Sequence, residues 1–177
     1  MKTFAQLAAT CLVLNLDYCI KSTPDGKGLG LFAKRFIPAN SNITIYGGDV
    51  IYRRDTNDHV HSIKVPMSAC GDDTLINGKC IIDNLVYDVE GGYYYSLEGH
   101  RPHIPGYACI ANSATRNTAN AHMVWHAVLD NNDKFCRFGI GAKIGGVLEA
   151  TEDIEKDEEI CWFYQMIMSD GTRCLPK

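Results

Sequence analysis

Between Asp17 and Arg53 every apolar run is short, and glycine, proline, asparagine or charged residues separate the runs. That punctuation leaves no room for a helix of ordinary length, about 11 residues. It suits strands of about five residues joined by tight turns. The reading is a strand at Asp17 to Ser22, a turn at Thr23-Pro24-Asp25-Gly26 and a second strand at Leu29 to Lys34. A turn at Ile37-Pro38-Ala39-Asn40 follows. Asn42 to Tyr46 and Asp49 to Arg53 then read as two strands bent at Gly47-Gly48. The expected class is mainly β, with a few short helices and small curved sheets.

The later chain continues the pattern less regularly. A helix is expected around Asp58 to Ser68, limited by Pro66, which cannot sit inside one. A short apolar strand is expected at Cys80 to Asp83, and loops at Gly91 to Tyr95 and His100 to Gly106. Ala121 to Leu129 alternates, with Met123, Trp125 and Ala127 on one face and His122, Val124, His126 and Val128 on the other. Asn131-Asn132-Asp133 is a turn signal, so Phe135 onward is expected to pair back as a hairpin. Ile144 to Ala150 leads into a closing block, Ala150 to Tyr164. Its charged first half cannot be core, whereas Ile160, Cys161, Trp162, Phe163 and Tyr164 can. A turn is expected at Lys156-Asp157, because Asp tolerates turn geometry.

Bulk properties narrow the function. At 177 residues the chain is one domain with at most short extensions. A hydrophobic content of 46% is enough for a core. The net charge of −4 argues against direct nucleic-acid binding, which needs a basic face, and suits a basic peptide partner. Of eight cysteines, no pair has C-x-x-C spacing and no His cluster completes a zinc set, so no metal is expected. Cys11, Cys109 and Cys161 lie in apolar runs, where free thiols behave as small hydrophobes. A reduced, intracellular chain in nucleus or cytoplasm is the preferred reading over a secreted disulfide scaffold.

Met1 to Leu16 resembles a weak signal peptide, but Gln6, Thr10 and Asn15 interrupt it and it is too short and polar to span a membrane. The preferred alternative is an amphipathic helix with Leu7, Cys11 and Leu14 on its packed face. The glycines around Leu29 let the backbone approach something closely. They form neither a phosphate loop nor a dinucleotide fingerprint, since no Lys-Ser/Thr, third glycine or crossover helix follows.

Three blocks, in order, carry a resemblance. The first is Gly26-Lys27-Gly28-Leu29-Gly30-Leu31-Phe32-Ala33 with Ile43 to Ile51; the second is Tyr107 to Ala114 with Ala119-Asn120-Ala121; the third is Ala150 to Tyr164. Together they resemble the SET domain of protein lysine methyltransferases, over about residues 17–165. The blocks look like the family's "GxGlfA … eYxGe", a degenerate "NHSc … NA", and "A.xDIxxGEEL … Y". The resemblance implies an N-terminal helix or extension over 1–16, the domain over 17–165 with a variable insert over 54–106, and a tail over 166–177. It also implies a SET-type fold with a pseudoknot-like C-terminal crossing.

By this resemblance the activity is methyl transfer from S-adenosylmethionine to a lysine side chain of a protein or peptide, histones being the family's commonest target. Tyr164 corresponds to the catalytic tyrosine, Tyr46 to a tyrosine lining the lysine channel, and Trp162 to a position that limits how many methyls fit. Lys27, Gly28, Leu29, Gly30, Asn112, Ser113 and Asn120 correspond to the cofactor site. A second register of the middle block would use Asn117 and place Ala111 first. Departures are Cys109 where the family has Arg, Ser113 where it has His, and Asp157 where it has Gly. The other functional reading is a non-catalytic module of the same fold that binds a protein partner. A homo-oligomer is compatible with either.

Overall fold

In the computed structural model, which describes residues 2–52, 61–65, 74–87, 93–95, 104, 106–129, 142–164, 166–167 and 173–174, the chain is built mainly from short strands. β1 (Lys2–Thr3) leads into α1 (Phe4–Ala8). Thr3 caps α1: its hydroxyl accepts from the Gln6 N–H while Gln6 reaches back to the Thr3 N–H. The helix expected over the first sixteen residues is therefore little more than one turn. Leu7 is buried, and Cys11 and Leu14 still pack on the core from the chain beyond it.

β2 (Tyr18–Ser22) and β3 (Leu29–Ala33) form the expected hairpin. β4 (Asn42–Ile45) and β5 (Asp49–Tyr52) follow, separated by Gly47-Gly48. At Gly48 the backbone has φ 138, and an added Cβ would lie 2.0 Å from the Asn77 carbonyl oxygen, so only glycine fits.

β6 (Ser62–Lys64) corrects the expected helix over 58–68, of which the other residues beyond 61–65 lie outside the described set. Its Ile63 pairs with Ile76 of β7 (Thr74–Asn77), and that pairing outweighs any local preference for helix. α2 (Lys79–Asp83) corrects the expected strand at 80–83. Gly78 starts it, Ile81 is buried, and Lys79 Nζ meets Asp83 one turn on at 2.9 Å. β8 (Leu85–Tyr87) and β9 (Tyr93–Tyr95) pair antiparallel, so part of the expected loop at 91–95 is strand.

One turn of 3₁₀ helix at Ala108–Ile110 precedes β10 (Asn112–Ser113). β11 (Ala121–Leu129) and β12 (Ala142–Ala150) are the long hairpin, in unbroken register from Ala121↔Ala150 to Leu129↔Ala142. The turn at 131–133 and Phe135 lie outside the described residues. β13 (Glu159–Trp162) closes the sheet, and β14 (Met166–Ile167) pairs with β15 (Arg173–Cys174). The expected turn before β13 is present, with Asp157 at φ 69 in the left-handed region where Asp is among the tolerated residues.

The main sheet runs β2-β3-β13-β11-β12-β4, with β10 added to β13 and β1 added to β11. Ile20, Leu31 and Ile160 face one another across three strands and are fully buried. Each such aliphatic side chain contributes about 1.5–3 kcal/mol on leaving water. On the other face the row is Cys19, Phe32 and Glu159, which stays partly open apart from Phe32. One face of β13 is thus core and the other is available to a ligand.

Residues 112–121 leave β13 and return to it. Asn112 and Ser113 pair in parallel with Cys161 and Trp162, and after a turn Ala121 returns to pair with Trp162 again. Both ends of this segment grip the same short strand. At the N-terminus, the buried Asp17 carboxylate accepts from the Val13 N–H at 2.6 Å and pairs with Arg35, tying the opening segment to the turn after β3.

Candidate active site

β13 places aromatic groups on its core side and polar groups on its open side. On the core side Trp162 is 7% exposed and stands between two tyrosines. Its ring centroid is 6.4 Å from that of Tyr46, edge-on at 71°, and 4.8 Å from that of Tyr164, tilted by 41°. Edge-to-face and offset geometries at these spacings are the favoured ones for aromatic rings. Tyr46 and Tyr164 are far apart in sequence, and the tryptophan brings them into one cluster. The Tyr46 hydroxyl donates to the His61 carbonyl at 2.9 Å, which anchors it to the segment before β6. Among the described residues the buried Trp162 indole N–H has no acceptor.

Tyr164 is half-buried. Burial pushes its phenol up from the usual tyrosine range; the neighbouring Cys161 adds to the rise and the Ser113 backbone opposes it. Tyr164 therefore stays a neutral phenol at physiological pH. The Ser113 hydroxyl donates to the Tyr164 carbonyl oxygen at 3.1 Å, and the Ala114 N–H donates to the Trp162 carbonyl at 3.1 Å.

The open side of β13 faces the turn between β2 and β3. Gly28 has φ 99 with open space where a side chain would point. A Cβ on Gly30 would lie 2.7 Å from Glu159 Oε1 and 3.0 Å from Asn112 Nδ2, so the glycine lets both groups descend onto the strand. Asn112 Nδ2 donates to the Leu29 carbonyl at 3.0 Å and to Glu159 Oε1 at 2.7 Å. Lys27 is mostly exposed and held by Asp25 at 2.7 Å. Burial pushes the Cys161 thiol up to about 12, with Glu159 reinforcing it, so this cysteine is not a thiolate nucleophile.

Leu29, Gly30 and Asn112 thus meet beside Glu159, and Lys27 and Gly28 lie in the turn that leads into β3. Ser113 lies on the same short strand as Asn112, with its hydroxyl directed to the Tyr164 backbone. Asn120 is 3% exposed, and its amide works inside the protein. Its Nδ2 donates to Glu158 Oε1 at 3.0 Å and the Glu159 carbonyl at 2.9 Å, while its oxygen accepts from the Cys161 N–H at 2.9 Å. It clamps β13 along its length.

Glu159 was not singled out in the sequence and Cys161 was read only as a small hydrophobe, although alternation from Trp162 places both on the opposite face of the strand. Their neighbours come only from the register of β13 on β3, which puts Glu159 across from Phe32 and beside Gly30.

A family model described as the SET domain matches residues 28–165. No curated protein matches the sequence. Among solved structures, a candidate histone methyltransferase of Plasmodium falciparum is similar at 17% identity and TM-score 0.42, over 84% of this chain and 92% of that one. KRYPTONITE, solved with mCHH DNA, a histone H3 peptide and S-adenosylhomocysteine, is similar at 17% identity and TM-score 0.46, over 82% of this chain and 22% of that one. The autoinhibited ctPRC2 structure, bound to S-adenosylmethionine, is similar at 15% identity and TM-score 0.50, over 90% of this chain and 16% of that one. The last of these shares the fold. The chain spans about a fifth or less of the two larger neighbours.

Proposed function

The chain belongs to the SET-domain family, and from that membership we propose that it transfers a methyl group from S-adenosylmethionine to a lysine side chain of a protein or peptide, histone tails among the candidates. The observation that carries the reading is the Tyr46, Trp162 and Tyr164 cluster, built on the strand whose other face meets the glycine cradle. The cradle suits the cofactor: Gly28 leaves open space, Gly30 admits the side chains of Asn112 and Glu159, and Asn112 lines the groove.

When bound, S-adenosylmethionine supplies a methyl group activated by its sulfonium charge. The lysine must attack as a neutral amine, although a free lysine titrates near about 10.4. A dry aromatic channel lined by Tyr46 and Trp162 disfavours the ammonium by desolvation and so favours loss of its proton. The neutral Tyr164 phenol holds the reacting groups in line and stabilises charge there with its oxygen dipole, without acting as a base. Trp162 fills the channel and limits methyl additions. Ser113 and Asn120 act by holding β13 and Tyr164 in place.

The test is calorimetric titration of the chain with S-adenosylmethionine, then a methyl-transfer assay on lysine-containing peptides with Tyr164→Phe as control. Cofactor binding with transfer reduced about a hundredfold in Tyr164→Phe supports the reading. A folded chain that binds no cofactor overturns it. The second reading, a non-catalytic interaction module, is favoured by one observation: Ser113 stands where the family has His, with its hydroxyl committed to the Tyr164 backbone. Cofactor binding without transfer to any peptide would support that module.

A further inference from the structure

The chain that leaves α1 does not lie flat on the sheet. Between it and β4 is a cavity of about 150 Å³, to which β13, β10 and the glycine turn contribute no residue. Its floor is the buried Tyr18, Thr44 and Ile45. Ala8, Cys11, Leu12, Leu14 and Tyr107 surround the floor, and each is partly exposed, so the cavity opens to solvent on that side.

The lining holds no acidic, basic or histidine side chain. Burial raises the Cys11 thiol to about 11 and pushes the Tyr18 phenol well above its ordinary range, so both stay neutral at physiological pH. Their polar atoms already have partners. The Tyr18 hydroxyl is hydrogen-bonded to the Thr44 side chain, Thr44 Oγ1 accepts from the Tyr107 N–H at 3.1 Å, and Cys11 Sγ donates to the Leu7 carbonyl at 3.6 Å. A charged ligand here would lose its hydration and find no opposite charge. A buried water needs about two to four polar partners, and these side chains do not spare them. An empty space of this size leaves the lining short of dispersion contacts, which an apolar occupant restores. A cavity of about this volume with apolar walls admits one benzene-sized ring.

We propose that this cavity is a binding site for a small, uncharged, apolar molecule about the size of one aromatic ring. The site is separate from the methyl-transfer reading and does not depend on it. Its occupant contacts Tyr107, β4 and the chain after α1 together, and so stabilises the folded state over the unfolded one.

The test is thermal unfolding of the full chain with three probes of similar size: toluene, benzoate and benzylammonium. At about ten times its dissociation constant, toluene should raise Tm by about 3–6 °C, and the two charged probes should leave it unchanged. Ala8→Leu fills the cavity from its wall and should abolish the toluene shift. Methyl NMR of the wild type, labelled at leucine, keeps the test independent of how that variant folds: toluene should move the signals of Leu12 and Leu14. A wild type that toluene does not stabilise overturns the site. So does an equal shift with the charged probes, a full toluene shift in folded Ala8→Leu, or NMR changes confined to other leucines.

Discussion

Ser113 Oγ donates to the backbone carbonyl of Tyr164 at 3.1 Å, so a residue of the 112–121 segment sets where the proposed catalytic tyrosine stands. Ser113→Ala removes that tie and costs about 1 kcal/mol of stability. The expected kinetic effect is a fall in kcat of about tenfold, since small misplacements at a reacting centre are costly. Cofactor affinity measured by calorimetry changes little, because the cradle is held by other groups.

Trp162 fills the space between Tyr46 and Tyr164 while its indole N–H has no acceptor among the described residues. Trp162→Phe empties part of that space and removes an unsatisfied donor. The cavity and the relieved donor offset each other to within about 1 kcal/mol. Mass spectrometry of a methylated peptide should show a shift to higher methylation states than the wild type produces. An unchanged product distribution would remove Trp162 from control of methyl number.

Asn120 makes three hydrogen bonds that hold β13, all from a side chain 3% exposed. Asn120→Ala leaves the Cys161 N–H without its acceptor and the Glu159 carbonyl without this donor. The expected loss is about 2–4 kcal/mol, read as a lowered denaturant midpoint at unchanged slope. Asn120→Asp keeps the acceptor for the Cys161 N–H but sets a second carboxylate against Glu158, so it should rescue little.

Alkaline pH should unfold the protein through its thiols. Burial is the main cause that raises Cys11 and Cys80 to about 11 and Cys161 to about 12, from 9.0 when free. In the unfolded chain these groups release protons near 9, whereas the folded chain holds them. The unfolded state then binds fewer protons, so stability falls with rising pH. The stabilisation is complete below pH 9 and is lost progressively from there towards 12. Denaturant midpoints at pH 7, 8 and 10, under reductant, should be level between the first two and lower at the third.

Much of the fold was legible because alternation and turn formers mark strands directly. Ala121–Leu129, Tyr18–Ser22 and Leu29–Ala33 lie close to where the pattern put them. Lys79–Asp83 was misread because a short apolar run such as Cys80-Ile81-Ile82 is compatible with strand or helix, and the deciding contacts are a glycine start and a Lys–Asp pair one turn apart. Ser62–Lys64 was misread for the opposite reason, since its strand character comes from Ile76 across the sheet. At the site, ordered motifs were enough to bring Tyr46, Trp162 and Tyr164 together. Asn120 looks like an ordinary turn residue until β13 is laid against it, and Glu159 looks like surface charge until its register on β3 is known.

The placement of β13 also governs when this molecule can form. Its partners on one side, Leu31 and Phe32, are made early in synthesis, and those on the other, 112–121, much later. Until Glu159–Trp162 leaves the ribosome, β3 has an open hydrogen-bonding edge and Tyr46 lacks the rings that complete its cluster. Contacts this distant along the chain close slowly, on a scale of about milliseconds to seconds. A nascent chain stopped short of β13 exposes an apolar strand edge of the kind that recruits other chains. The strand that gives the site both its faces is thus also the step for which folding must wait.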